Sequence, residues 1–110
     1  MPYDDNSVAD FLQATHATDL LSGREKHLVG LAVTITRGCQ ICTRNRIVKA
    51  SDAGIGDEVL NALFGVVAAV NAGVAAATAR EGYRTAAETA PPQCTDICSV
   101  TPEALDKGST

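Results

Sequence analysis

Cys39-Gln40-Ile41-Cys42 is the part of this chain whose residue types and spacing could do chemistry. Two thiols three residues apart sit on one helical turn, where they can form a disulfide with each other or supply part of a thiolate metal site. Gly38 stands directly before them, as at a helix entrance. A helix N-terminus offers unpaired backbone N–H groups and a partial positive charge, and both favour thiolate over thiol. In helical register Cys39, Cys42 and Arg46 fall on one face, so a fixed cation lies one turn beyond Cys42. The plainer reading of Arg46 is a solvated helix residue, and that of the cysteines a buried, inert pair. The basic cluster of Arg37, Arg44, Arg46 and Lys49 around them suits a reactive site better than a core.

A second pair, Cys94 and Cys98, follows Pro91-Pro92. Three readings are open for it. It is a relay dithiol exchanging with Cys39 and Cys42 through mixed disulfides, or it completes a four-thiolate zinc or copper site with them, or it is incidental. The proline-rich context favours the relay. A structural zinc normally knits a small domain together, whereas this core should stand without one.

The elements that must position these thiols read as helices. Asn6 or Ser7 is placed to cap a first helix running towards His16. Ser22-Gly23-Arg24-Glu25 has the form of a capping box, in which Ser and Glu satisfy each other's backbone donors. The second helix it starts repeats its apolar residues at Leu28, Leu31, Ala32 and Ile35, and Arg37-Gly38 ends it. A third helix is expected from about Cys39 to Ala53, stopped at Gly54. Asp57 and Glu58 open a fourth with acidic residues in its first turn, as the helix dipole prefers. That segment carries a ridge of small residues, Gly65, Ala69, Gly73 and Ala77, suited to close helix packing. A break at Asn71-Ala72-Gly73 is expected, because one helix through to Glu88 would be long for this domain. Residues 1–88 are thus read as one helical domain and 89–110 as a tail carrying the second cysteine pair.

With 110 residues the chain has the size of a single domain able to bury a core. It is rich in Ala, with no Trp, two Phe and two Tyr, which favours packed helices over a β-sandwich. The formal net charge of −4 and the lack of a basic stripe argue against nucleic acid. Met1-Pro2-Tyr3-Asp4-Asp5 lacks the basic start and apolar run of a secretion signal, so a cytoplasmic location is expected, where thiol pairs are more often redox or metal groups than structural disulfides. Val59–Ala79 is uncharged and near membrane-span length. Its Ala, Gly, Asn and Thr content makes insertion weak, and a buried or interface helix is expected instead of a span.

From Leu21 to about Ala79 the chain resembles the alkylhydroperoxidase D and carboxymuconolactone decarboxylase superfamily. The residues that carry the likeness are Leu28-Val29-Gly30-Leu31-Ala32-Val33-Thr34, then Gly38-Cys39 with Cys42, then Ala53-Gly54-Ile55-Gly56-Asp57-Glu58. The resemblance implies an all-α domain assembling as a homo-oligomer, trimer or hexamer. It also implies thiol-dependent reduction of a hydroperoxide, one cysteine attacking and the other resolving the sulfenic acid, with Cys42 the attacking thiol and Cys39 the resolving one. The more helix-terminal Cys39 is a credible nucleophile for disulfide substrates. Redox members of the superfamily pair these cysteines with a Glu and a His; His27 and Arg46 occupy those positions here. The Glu-to-His proton relay therefore does not carry over. An imidazole at His27 can act as a base, or be an ordinary half-buried histidine, while Arg46 can only donate and hold charge. No set of His and Arg side chains suited to a muconolactone is evident, and decarboxylation is disfavoured.

The expectation is an all-α redox protein cycling Cys39 and Cys42 between dithiol and disulfide. Its substrate is a hydroperoxide or small disulfide, its electrons come from a dithiol donor, and it needs no cofactor. The rival is a non-enzymatic binder of zinc or copper through Cys39, Cys42, Cys94 and Cys98.

Overall fold

The described residues of the computed structural model are 2–88 and 103–104. They fold into four helices and no strand: α1 (Asn6–His16), α2 (Gly23–Arg37), α3 (Gln40–Asp52) and α4 (Asp57–Ala86). The all-α expectation holds. Cys94, Cys98 and the tail boundary assigned at residue 89 lie outside the described residues.

Two compact units divide the chain, Met1–Ala72 and Gly73–Thr110. In the first, α2 begins at the capping box expected for it: Glu25 N–H donates to Ser22 Oγ at 3.0 Å, and Ser22 N–H donates to Glu25 Oε1 at 2.8 Å. At its other end Gly38 adopts φ +78°, and its N–H and that of Cys39 close on the carbonyls of Ile35 and Thr34. A side chain is disfavoured at that left-handed φ, so glycine is what allows the chain to reverse there. Only Gly38 and Cys39 then separate α2 from α3, which pack as a helical hairpin. Thr43 Oγ1 donates across it to Thr34 Oγ1 at 3.0 Å.

The hairpin closes on one small core. Leu31 and Ala50 are fully buried, Ile55 and Leu60 nearly so, with Leu28, Ile35, Ile47, Val59, Leu63 and Phe64 packed around them. Leu31 thus confirms the apolar face read on α2. Burying such a leucine contributes about 1.5–3 kcal/mol. α1, by contrast, buries no residue. Its start also differs from expectation: Asp5 takes the N-cap position without a side-chain cap, and Asp4 Oδ1 accepts the N–H of Asn6 instead.

The break expected at Asn71-Ala72-Gly73 does not occur; α4 runs unbroken for 30 residues. One interior glycine costs only about 1 kcal/mol against alanine, and the surrounding alanines, with no proline, are the best helix formers available. By length and composition α4 could cross a membrane. Val66, Val70 and Val74 on it are exposed, and nothing stands within 4 Å of where a Cβ would lie at Gly65 or Gly73. In the second unit α4 carries exposed ion pairs from Arg84 to Glu81 and Glu88, at 2.8 and 3.1 Å, of the kind worth little to stability.

Candidate functional site

Cys39 and Cys42 form a disulfide, with Cα atoms 5.3 Å apart. Cys39 is not inside the helix but is its N-cap: extended in backbone, it accepts the N–H of Cys42 on Sγ at 3.2 Å. A sulfur at this position receives both a backbone donor and the positive end of the helix dipole. Cys39 is half-buried and Cys42 exposed.

The two sulfurs address different surroundings. Cys39 borders a hollow of about 400 Å³ with Thr34, Gly38, Thr43 and Arg44. Cys42 opens onto a groove of about 450 Å³, lined also by His16, Lys26, His27, Arg46 and Lys49. The single face expected for Cys39, Cys42 and Arg46 is therefore divided, because Cys39 sits at the cap and α3 begins one residue later. The basic cluster divides with it: Arg44 lies on the Cys39 side, Arg46 and Lys49 on the Cys42 side.

His27 and Arg46, singled out from sequence, are thus brought into one groove with Cys42. Arg46 is half-buried and lies on bare backbone at Gly30 of α2. A Cβ there would collide with the guanidinium, reaching 2.6 Å from Cζ and 3.1 Å from Nε. Glycine at this position lets α3's arginine lie flat on α2. His27 also borders a smaller hollow with Gly23, Arg24 and Gly54.

His16 and Lys26 were not anticipated. His16 Nδ1 donates to Leu12 O at 2.8 Å. A carbonyl only accepts, so Nδ1 carries the hydrogen and a neutral ring keeps its lone pair on Nε2. Sequence spacing gives no signal for His16, which reaches the groove only through the placement of α1. Lys26 was legible in hindsight: Lys26 and Gly30 lie i, i+4 on α2, as Cys42 and Arg46 do on α3. His16, His27 and Arg46 all line this groove, a grouping of His and Arg side chains that the sequence did not make evident. Among the described residues no three His, Cys, Asp or Glu side chains are grouped to hold a metal ion. The four-thiolate site includes Cys94 and Cys98, outside the described residues.

Glu25, at the start of α2, is the carboxylate nearest in sequence to this wall of the groove. The backbone N–H and the hydroxyl of Ser22 hold it below its ordinary carboxylate value, so it is committed to the cap.

A crystal structure of a protein from Methanobacterium thermoautotrophicum is similar to this chain, with 31% identity and a TM-score of 0.67, over 76% of this chain and 95% of that one. No curated protein matches the chain. The carboxymuconolactone decarboxylase family matches residues 6–83, spanning all of α1 to α3 and nearly all of α4; with the hairpin, the glycine turn and the Cys39–Cys42 pair in place, this chain belongs to the carboxymuconolactone decarboxylase family.

Proposed function

We propose that the chain is a thiol–disulfide oxidoreductase that reduces a hydroperoxide at Cys42 and resolves at Cys39. The observation that carries this reading is the Cys39–Cys42 disulfide at the start of α3, with Cys42 alone opening onto the cation-lined groove. In the reduced protein the Cys42 thiolate attacks the distal peroxide oxygen. The O–O bond breaks, Cys42 becomes a sulfenic acid, and the alkoxide leaves as an alcohol after taking a proton. His16 and His27 are the groove's candidates for handling that proton, and Arg46 stabilises the thiolate. Cys39 then attacks the sulfenic sulfur and expels hydroxide, which leaves as water. The sum is two thiols and one hydroperoxide giving one disulfide, one alcohol and one water.

A dithiol donor returns the two electrons by attack on exposed Cys42. Cys39 departs as a thiolate stabilised by the Cys42 N–H and the helix terminus, and a stabilised thiolate leaves faster. Cys94 and Cys98 are proposed as a relay for those electrons. The bare ridge and exposed valines of α4 leave that helix uncovered, and further copies of the chain are the cover proposed for it.

The test is to purify the reduced protein, measure bound metal, and titrate thiols before and after a peroxide pulse. Rapid loss of two thiols, abolished by Cys42→Ser, supports the proposal. Stoichiometric zinc or copper with protected thiols overturns it in favour of a metal binder. The convergence of His16, His27 and Arg46 favours decarboxylation as a second reading. That activity would survive in a Cys39→Ser/Cys42→Ser variant, whereas dithiol chemistry would not.

A further inference from the structure

The groove at Cys42 adjoins a second cavity of about 350 Å³, and the two share Leu12, His16, Lys26 and Arg46 as lining residues. The second cavity has a different character: Leu21, Val29 and Val33 add to Leu12 on its walls. Its size falls within the range of small-molecule sites, which are mostly apolar with a few placed polar groups. This cavity is therefore walled by apolar side chains and carries Lys26 and Arg46 on the side it shares with the groove that holds Cys42.

The charge on that side is unopposed. Among the described residues Lys26, Arg46 and Lys49 border the groove and no Asp or Glu does, although acidic residues outnumber basic ones in this chain by 13 to 9. Among the described residues the ion pairs are formed by Arg80 and Arg84, far along α4; Lys26, Arg46 and Lys49 have none. Arg46 moreover lies against the bare backbone of Gly30, where a Cβ would meet its guanidinium. A half-buried guanidinium without a carboxylate partner presents the planar fork that matches a ligand's carboxylate.

We propose that this hollow binds an amphipathic organic carboxylate, its apolar chain among Leu12, Leu21, Val29 and Val33 and its carboxylate on Arg46 and Lys26. Joined to the thiol chemistry proposed above, on which this part rests, the oxidant is a hydroperoxide that itself bears a carboxylate and an apolar chain. Binding is separable from the reaction.

The experiment uses the full-length Cys39→Ser/Cys42→Ser variant, which cannot do dithiol chemistry, and measures by calorimetry the affinity for decanoate, decanol and acetate, the first below its micelle concentration. Decanoate is expected to bind at least about tenfold more tightly than either of the others, and to weaken with added salt. Arg46→Gln should weaken decanoate by about tenfold while decanol is unchanged, and Gly30→Ala, which displaces the guanidinium but also adds a methyl to the apolar wall, should weaken decanoate more than decanol; circular dichroism confirms that each variant remains folded. Equal affinity for decanoate and decanol overturns the carboxylate subsite, and equal affinity for decanoate and acetate overturns the apolar one. Unaltered decanoate binding in both folded variants overturns the role of Arg46. Because no thiol is involved, failure here leaves the peroxide reaction standing, and failure of the peroxide assay leaves this binding standing.

Discussion

The two sulfurs of one disulfide occupy unlike surroundings. Cys39 is served by backbone: the Cys42 N–H, the end of α3 and the glycine turn that delivers it. Cys42 is served by side chains gathered from three helices, His16 from α1, Lys26 and His27 from α2, Arg46 and Lys49 from its own. Backbone stabilisation suits a group that must leave readily whatever its partner. A side-chain groove suits a group that must meet and select a substrate. On that asymmetry rests the proposal that Cys42 attacks and Cys39 departs.

The largest expected effect is the loss of one sulfur. Cys42→Ser should reduce peroxide consumption to the uncatalysed background, while Cys39→Ser should react once and stop as a sulfenic acid, visible by mass spectrometry. If the two variants behave alike, the comparison fails. Leu31→Ala, under both sides at once, should destabilise the fold by about 2–5 kcal/mol in denaturant titration while leaving the ranking of the two cysteines unchanged below the transition.

Gly38→Ala acts on the Cys39 side. Imposing a Cβ at φ +78° should cost about 1–2 kcal/mol of stability and slow resolution relative to attack, read as accumulation of the sulfenic acid. Arg46→Gln acts on the Cys42 side. It should slow the peroxide step roughly tenfold, or ~1.4 kcal/mol in the barrier, with resolution unaffected.

The smallest effect is a pH dependence. Glu25 anchors the end of α2 that carries Lys26 and His27, and its folded-state value lies below the ordinary one. A depressed carboxylate stabilises the fold above its unfolded value, and that contribution disappears as pH falls through the folded value. Amide exchange at the start of α2 should therefore quicken on acidification; Glu25→Gln should abolish the dependence, whereas Ser22→Ala, which keeps the backbone N–H to Glu25, should only weaken it while lowering stability by about 1 kcal/mol. The α3 cap at Cys39 should show neither change.

Much of the fold was written in local signals. Ser22 and Glu25 define a helix start through their own hydrogen bonds, Gly38 a stop through its φ, and Leu31 the buried face. α4 was misjudged because Asn71 and Gly73 weaken a helix by less than the neighbouring alanines support it. Of the site, Cys42 and Arg46 were legible, being one turn apart on one helix. His16 was not, since its place in the groove depends on how α1 lies against α2 and α3, and α1 buries nothing that would announce that packing. The separation of Cys39 from Cys42 was also hidden, because it turns on whether a helix begins at one residue or the next.

The most direct measurement labels sulfenic acid. Reduced Cys39→Ser and Cys42→Ser proteins are pulsed with a hydroperoxide in the presence of dimedone, and the adduct on the remaining cysteine is quantified by mass spectrometry. The asymmetry predicts rapid labelling of Cys42 in Cys39→Ser and little labelling of Cys39 in Cys42→Ser. Faster labelling of Cys39 would contradict it, and would make the capped sulfur, not the one on the groove, the attacking thiol.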